Sequence, residues 1–511
     1  MKVFNADQIR AWDAYTIRHE PVSSSDLMDR ASQVFTDWFV AQYPDTQTPV
    51  VVFAGTGNNG GDGLVTARLL HWLHYEVKVF VCDLKGKHSP DFDLQFTRLP
   101  KDIDVAEIRS AEQFNQVHLA PGAVLIDALF GSGLNRPLEG EWLRIVDHLN
   151  AMPNEKVAID LPSGLFADTS TPGRSVVQAS RCFSFEAPKR AFFFPENADR
   201  VGKWSFGSIG LHLDYYNRTD TPFHYLTERQ ATLLLRPRAK FSHKGSYGHA
   251  LLISGQYGTM GAAVLAARAC LRIGAGLLTV YAPRCGYLVL QSAVPEAMYS
   301  ADRRAQMWTG LPDLSPYAAI GVGCGIGQAS ETAAALKRLL ESLSRSQASE
   351  KRPGLVLDAD ALNLLAQHPD WWRMVPQNTI LTPHPKEFER LFGKTNNDFE
   401  RNDLQRQKAQ EHGVFIVLKG AHTAIACPDD ACWFNSTGNP GMATGGSGDV
   451  LTGIVTGLLA QGYSPRDAAL LGVFLHGYAG DRAAETLGEE GMIAGDIADF
   501  LGNAWASLIA S

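Results

Sequence analysis

The segment 441–453 reads Gly441-Met-Ala-Thr-Gly-Gly-Ser-Gly-Asp-Val-Leu-Thr-Gly453. Small residues from Gly445 to Gly448 run into Asp449, and an apolar helical pattern follows from Val450 to Val455. A glycine-rich turn that opens a helix presents backbone N–H groups at the positive end of the helix dipole, which suits a phosphoryl group. A carboxylate at that turn can take the proton of an attacking hydroxyl. Phosphoryl transfer is catalysed mainly by positioning and charge stabilisation, so a nest and a base side by side suit it. The plain structural alternative is a glycine-rich helix start with Asp449 as its N-cap.

Around this turn the second half alternates strand and helix. His243-Lys-Gly-Ser-Tyr-Gly248 precedes a strand at 250–254, a loop at 255–261 and an Ala-rich helix at 262–273. Further strands are expected at 277–281, 318–322, 355–357, 379–381 and 415–418. The first half shows a helical pattern at 6–19, a strand at 50–54, a glycine loop at 55–63, a helix at 64–73 and a strand at 77–81. That order is a βαβ unit. Two more runs, 123–127 and 156–160, are apolar up to a final Asp, as expected for parallel strands covered on both faces. Both halves therefore predict doubly wound α/β sheets. The pattern breaks into Asp, Asn, Thr and Pro at 215–227, which sets domains at 1–218 and 225–511.

Composition bounds the function. The chain has 511 residues, 45% hydrophobic and 20% charged, with a formal net charge of -8 and no basic tract. Nucleic acid is therefore not an expected partner. The seven cysteines are scattered without C-x-x-C spacing, which indicates neither zinc nor a disulfide framework. No long apolar run opens the chain and none spans a bilayer, so a signal peptide and a membrane partner are not expected. A reducing cytoplasm is the simplest setting.

In the first half, Gly55-x-Gly57-x-x-Gly60 fits a dinucleotide fingerprint, and Asp83 stands about where a ribose-binding acid would be. The polar side chains of Asn58, Asn59 and Asp62 count against a bare pyrophosphate loop. Asp62 also puts negative charge near a helix start, where a phosphate would otherwise gain most. This loop reads as a holder of a polar ligand or a cation. Asp127 and Asp160 fall at carboxyl ends of strands, where open α/β sheets bind ligands. Each could instead cap a turn. Arg136 in the glycine loop after Asp127 is available for phosphate.

Three ordered motifs, Gly57-Asn-Asn-Gly-Gly-Asp-Gly63, Asp127-Ala-Leu-Phe-Gly-Ser-Gly133 and Asp160-Leu-Pro-Ser-Gly164, resemble the NAD(P)H-hydrate epimerase domain over about the first 215 residues. The resemblance implies a hydrated-nucleotide site lined by Asn58, Asn59, Gly60, Gly61 and Asp62 and by Gly131, Ser132, Gly133, Leu134, Asn135, Arg136 and Pro137. It implies Asp160 as ligand contact and acid/base group, and potassium held by Asn59, Asp127 and Ser163. Those three are oxygen donors, as a hard cation needs.

The second half resembles the ADP-dependent NAD(P)H-hydrate dehydratase domain over roughly 225–505. Besides the opening turn, the match is carried by Lys244-Gly-Ser-Tyr-Gly248, Gly258-Thr-Met-Gly-Ala-Ala263, Gly323-Cys-Gly-Ile-Gly327, Leu357-Asp-Ala-Asp-Ala-Leu362, Leu381-Thr-Pro-His-Pro-Lys-Glu387 and Val417-Leu-Lys-Gly-Ala-His-Thr423. The resemblance implies that Lys419, Gly420, Ala421, His422 and Thr423, with Gly448, hold ADP. Ala262, Gly325, His384 and Asp449 would contact the hydrated dinucleotide, with Asp449 catalytic. Magnesium would accompany ADP, and a homo-oligomer is the expected assembly. The structural alternatives are a turn-fixed His384 between two prolines and a Lys419 exposed at a strand end. The implied architecture is an N-terminal Rossmann-like three-layer domain followed by a C-terminal ribokinase-like three-layer domain. Two rivals remain at this point: a small-molecule or coenzyme kinase with a Rossmann accessory domain, and a non-catalytic dinucleotide-binding regulator.

Overall fold

A computed structural model describes residues 1–173, 175–345 and 352–510. In strand β1 (Val50–Ala54), Val50, Val52 and Ala54 join one buried cluster with Phe35, Leu64 and Val79. Val51 and Phe53 join a second with Phe80, Phe114 and Leu125. Alternate side chains thus bury on opposite faces, as the two-residue period of a strand requires. Each buried Val or Phe contributes about 1.5–3 kcal/mol, and this two-sided burial explains the unbroken apolar run.

The other strands of this sheet are β2 (Val77–Cys82), β3 (Asp104–Ile108), β4 (Val124–Ala128), β5 (Lys156–Ile159), β6 (Arg181–Phe185) and β7 (Lys203–Gly207). They lie in the order β3-β2-β1-β4-β5-β6-β7. Every described pair in it is parallel. Strand order reverses between β1 and β4, so a crevice opens at their carboxyl ends.

The glycine loop differs from expectation. The helix begins at Asn58 rather than 64 and runs Asn58–Trp72, so Asn58 to Asp62 form its first turns. The glycines there serve close packing: a Cβ at Gly60 would stand 1.7 Å from the Gly55 carbonyl oxygen, and one at Gly63 would stand 2.6 Å from Ala128 Cβ. Strands β3, β6 and β7 are not evident in the sequence. They are short and carry polar residues, and their strand state comes from neighbours rather than propensity.

The C-terminal sheet contains β8 (Phe223–Leu226), β9 (His249–Ile253), β10 (Leu277–Ala282), β11 (Met298–Ala301), β12 (Ala319–Val322), β13 (Gly354–Leu357), β14 (Ile380–Leu381), β15 (Phe415–Leu418), β16 (Ala424–Ala426) and β17 (Cys432–Asn435). Their order is β11-β10-β9-β12-β13-β14-β15-β16-β17-β8. Only β16 runs antiparallel to its neighbours among the described residues. Ala250 and Leu252 of β9 bury on one face, Leu251 and Ile253 on the other.

Two compact units result: Lys2–Thr221 with Asn397–Phe399, and Met1 with Pro222–Asn396 and Glu400–Ser511. The C-terminal unit therefore starts at Pro222, not 225. Strand β8 pairs with β17 from Phe223 onward, and a start at 225 would cut that strand.

The helix Ser447–Ala460 crosses the helix Met260–Arg272 at backbone range. A Cβ at Gly453 would stand 2.1 Å from the Ala266 carbonyl oxygen, and one at Gly457 would stand 2.9 Å from that of Cys270.

Candidate active sites

A cavity of about 490 Å³ opens beyond the carboxyl ends of β1 and β4. Asn58, Asn59, Asp62 and Asp160 line it, as do Gly131, Ser132, Gly133 and Leu134. Gly60 and Gly61 are buried behind it. Asn135, Arg136 and Pro137 are exposed and do not reach it, because the loop turns outward after Leu134. Asp83 does not reach it either; its Oδ1 accepts from Gly86 N at 2.7 Å and shapes a local turn.

Asp160 follows β5 with φ +65°. A non-glycine residue in that region is uncommon and aims its side chain off the strand line. Its carboxylate pairs with Lys189 Nζ at 2.9 Å and accepts from Phe185 N at 3.2 Å. Lys189 is only 2% exposed, and its ammonium also reaches the Phe185 carbonyl at 3.2 Å. Breaking such a buried pair from one side costs about 3–5 kcal/mol. Asp13, Glu186 and Lys189 also line this cavity, and the motifs gave no hint of them. Burial pushes Asp13 up to about 7, helped by the Asp160 and Glu186 carboxylates and opposed by Lys189. Burial, then Asp160 and Asp13, hold Asp62 well above the usual carboxylate range.

Asp127 and Ser163 meet directly. Ser163 donates from Oγ to Asp127 Oδ1 at 2.6 Å and from N to Oδ2 at 2.8 Å. Ser163 Oγ in turn accepts from Phe130 N at 2.8 Å. Burial pushes Asp127 up to about 6, opposed by the Ser163 hydrogen bonds. Asn59 Oδ1 lies against Gly131. The Asn59 amide nitrogen is buried with no hydrogen-bond partner among the described residues.

In the C-terminal unit the glycine turn is built as a helix start. Gly446 is the N-cap with φ +98°, a left-handed conformation that glycine adopts without strain. Asp449 is the third residue of the helix, not its cap. Lys419 follows the last residue of β15 and reaches back over the turn. Its Nζ lies 3.2 Å from where a Cβ of Gly448 would stand and 3.0 Å from Asp358 Oδ1. Asp358 is also fixed by Thr452 Oγ1 at 2.8 Å. Burial works against the Lys419 ammonium, but Asp358 and Glu387 outweigh it and raise its pKa. Burial pushes Asp449 up to about 6, opposed by a hydrogen bond from the Cys324 thiol and increased by Asp358.

His384 is the N-cap of the helix Pro385–Phe392 and forms a capping box with Glu387. Its Nδ1 accepts from Lys386 N at 3.1 Å, and its Nε2 faces Glu387 Oε1 at 3.5 Å. The rigid turn and the site coexist here, since Glu387 also lies 4.0 Å from Lys419. Ala262 and Gly325 meet through Thr259, which accepts from Ala262 N at 3.2 Å and donates from Oγ1 to the Gly325 carbonyl at 2.8 Å. Gly420 and Thr423 close the β15–β16 connection on each other, with Thr423 Oγ1 3.0 Å from the Gly420 carbonyl. Ala421 at its tip is exposed. His422 turns inward to the Asn435 carbonyl at 3.1 Å. Asp358 and Glu387 join the site through Lys419, and their acidic side chains within the strand-end segments 357–362 and 381–387 are the signal the sequence offers for them.

Comparison with known proteins follows this division. Residues 250–503 match the family described as NAD(P)H-hydrate dehydratase, and residues 24–191 match the YjeF-related protein N-terminus. The bifunctional NAD(P)H-hydrate repair enzyme of Moorella thermoacetica is 36% identical over 471 residues, covering 88% of this chain and 86% of that protein. The chain belongs to the bifunctional NAD(P)H-hydrate repair enzymes. The family member from Escherichia coli is 34% identical over 504 residues, covering 97% of this chain and 92% of its own. An ADP/ATP-dependent NAD(P)H-hydrate dehydratase from Bacillus subtilis, co-crystallised with ATP and magnesium, aligns at 32% identity and TM-score 0.49. That alignment covers 56% of this chain and 98% of the dehydratase. No helix among the described residues of this chain is long and apolar enough to cross a membrane.

Proposed function

We propose that the two sites of this repair enzyme divide the work: the β1/β4 cavity interconverts the C6 epimers of hydrated NAD(P)H, and the Asp449 turn dehydrates the S epimer with ADP. The observation that carries this is the placement of Asp449 in the first turn of a helix opened by Gly446, with Lys419 over Gly448. Helix-start N–H groups and Lys419 hold the phosphates. Asp449 takes the 6-hydroxyl proton, and the terminal phosphoryl of ADP passes to that oxygen, leaving AMP. The ring nitrogen's lone pair then expels phosphate with the C6–O electrons. Loss of a C5 proton restores the dihydronicotinamide. Hydroxide leaves poorly and phosphate leaves well, which is the reason for spending ADP.

In this reading Lys419, Gly420, Ala421, His422, Thr423 and Gly448 hold ADP, and Ala262, Gly325 and His384 orient the hydrated ring. Magnesium comes with the nucleotide, as suits a metal usually bound through one or two carboxylates plus phosphates. Among the described residues no group of three or more His, Cys, Asp or Glu is gathered for an ion alone. The reading puts the work in the cytoplasm and takes the protein as a homo-oligomer. The testing experiment is incubation with hydrated NADH, ADP and magnesium while reduced-nicotinamide absorbance is followed. A stable phosphorylated product in place of NADH would support the kinase rival instead.

The residues at Asp127 fit potassium. Asp127, Ser163 and Asn59 offer oxygen, and a buried carboxylate raised to about 6 would be relieved by a cation beside it. When bound, the ion would order the loops after β4 and β5. Potassium should therefore raise the melting temperature of the N-terminal domain relative to choline, and Asp127→Asn should erase the difference. Equal transitions in both salts for the unmodified chain would remove the ion from the account.

A further inference from the structure

Epimerisation moves a hydroxyl from one face of C6 to the other. When the C6–O bond breaks and the ring nitrogen forms N1=C6, hydroxide leaves from one face and water returns to the opposite face. The departing oxygen needs a proton, and the incoming water must lose one. A carboxylate on one side serves one of these transfers well.

The cavity carries carboxylates on separate elements. Asp160 stands at the end of β5, held by Lys189 and Phe185 N. Asp13 stands on the helix Ala6–His19, whose Ile9, Arg10 and Ile17 line the same cavity. Among the described residues no cation lies within ion-pair distance of Asp13. We propose that Asp13 is the second proton-transfer group of the epimerase centre, exchanging acid and base roles with Asp160 on opposite faces of the ring. This rests on the epimerase reading of the cavity.

In one direction Asp13 gives its proton to the leaving hydroxide, which departs as water with the C6–O electron pair. Asp160 takes a proton from the water that adds to the other face, and a new C6–O bond forms from that water's lone pair. The N1=C6 electrons return to the ring nitrogen. One proton has moved from Asp13 to Asp160, and exchange with solvent restores it. The reverse reaction exchanges the roles. The charges facing Asp13 are Arg10 on its own helix, and Asp62, Asp160, Glu186 and Lys189 from the elements packed around it. Their balance with burial leaves Asp13 at about 7, so it both holds and releases a proton near neutral pH.

The test compares the full chain with Asp13→Asn and Asp13→Glu, following each epimer by chromatography. Consumption of the S epimer with ADP in the same tube reports the dehydratase, and the melting transition of the N-terminal domain, which should match that of the unmodified chain, reports its folding. Asp13→Asn should slow epimerisation about a hundredfold or more. The KM for the hydrate should change by only a few fold, and the loss of rate as pH rises through about 7 should disappear from kcat/KM. Asp13→Glu should recover part of the rate with a displaced pH limb. An Asp13→Asn chain that epimerises at the unmodified rate with the same pH limb overturns the proposal alone. A loss confined to KM, with the pH limb kept, also overturns it. An unmodified chain that never interconverts the epimers overturns the reading beneath it.

Discussion

Asp449→Asn should lower ADP-driven dehydration by about a hundredfold to ten-thousandfold, the usual worth of a positioned general base. Asparagine keeps the size of the side chain and still accepts the Cys324 hydrogen bond, so the turn keeps its shape. What is lost is the proton acceptor. The KM for ADP should change little, because the helix-start N–H groups and Lys419 are untouched. Epimer interconversion should continue at the unmodified rate. The pH profile offers a second check. Asp449 is raised to about 6, and as the proposed base it would act in its ionised form. Dehydration by the unmodified chain should therefore rise as pH climbs through that value and level off above it. The variant should lose that limb. Near-normal turnover would end the assignment of Asp449 as the base.

Gly60→Ala should disable the N-terminal domain while the dehydratase survives. The added methyl would sit 1.7 Å from the Gly55 carbonyl oxygen and 2.6 Å from its carbon. Both are backbone atoms, so no rotamer change relieves the contact. The helix Asn58–Trp72 must lift away from β1, taking Asn59 and Asp62 with it. Overpacking in a core commonly costs about 1–3 kcal/mol and more when the backbone must move. Thermal unfolding should show an early transition for this domain, with epimerisation lost and S-epimer consumption retained. Gly57→Ala is the control for stability, since no atom lies within 4 Å of its would-be Cβ. Equal melting of the two variants would show that the tight contact is dispensable.

The sequence made the sheets legible where strands are buried on both faces. The unbroken apolar runs in β1, β4 and β9 announce themselves. Strands β3, β6, β7 and β11 do not, because their state depends on the neighbour they pair with. The helix Ser24–Gln42 was within reach: Ser23 and Asp26 form a capping box, and Leu27, Met28, Ala31, Phe35 and Phe39 follow at helical spacing. Motif residues clustered at two sites, yet the groups that charge those sites were less visible. Asp13 is a single acid on a helical stripe with Ile9 and Ile17 that faces the cavity, and that misfit was a usable signal. Lys189 had none, since its partner Asp160 lies in another loop and only the fold joins them. Asn135 to Pro137, carried by the same motif as Gly131 to Leu134, stand exposed outside the cavity lining, since neighbours in a motif need not line the same surface.

The glycine contacts of the helix Ser447–Ala460 bear on how this enzyme can evolve. Gly453 and Gly457 bring its backbone against that of the helix Met260–Arg272, whose first turn carries Ala262. The helix that carries Asp449 and the helix that carries Ala262 are therefore one welded piece, and neither can be retuned without dislodging the other. In the proposed reading, freedom to accept a different nucleotide lies elsewhere, at the exposed tip of Gly420 and Ala421, where neither a positive φ nor a close contact holds the backbone. A library that randomises those positions and spares both helices should yield folded variants with altered substrate range. One that randomises the helix contact should yield mostly insoluble protein.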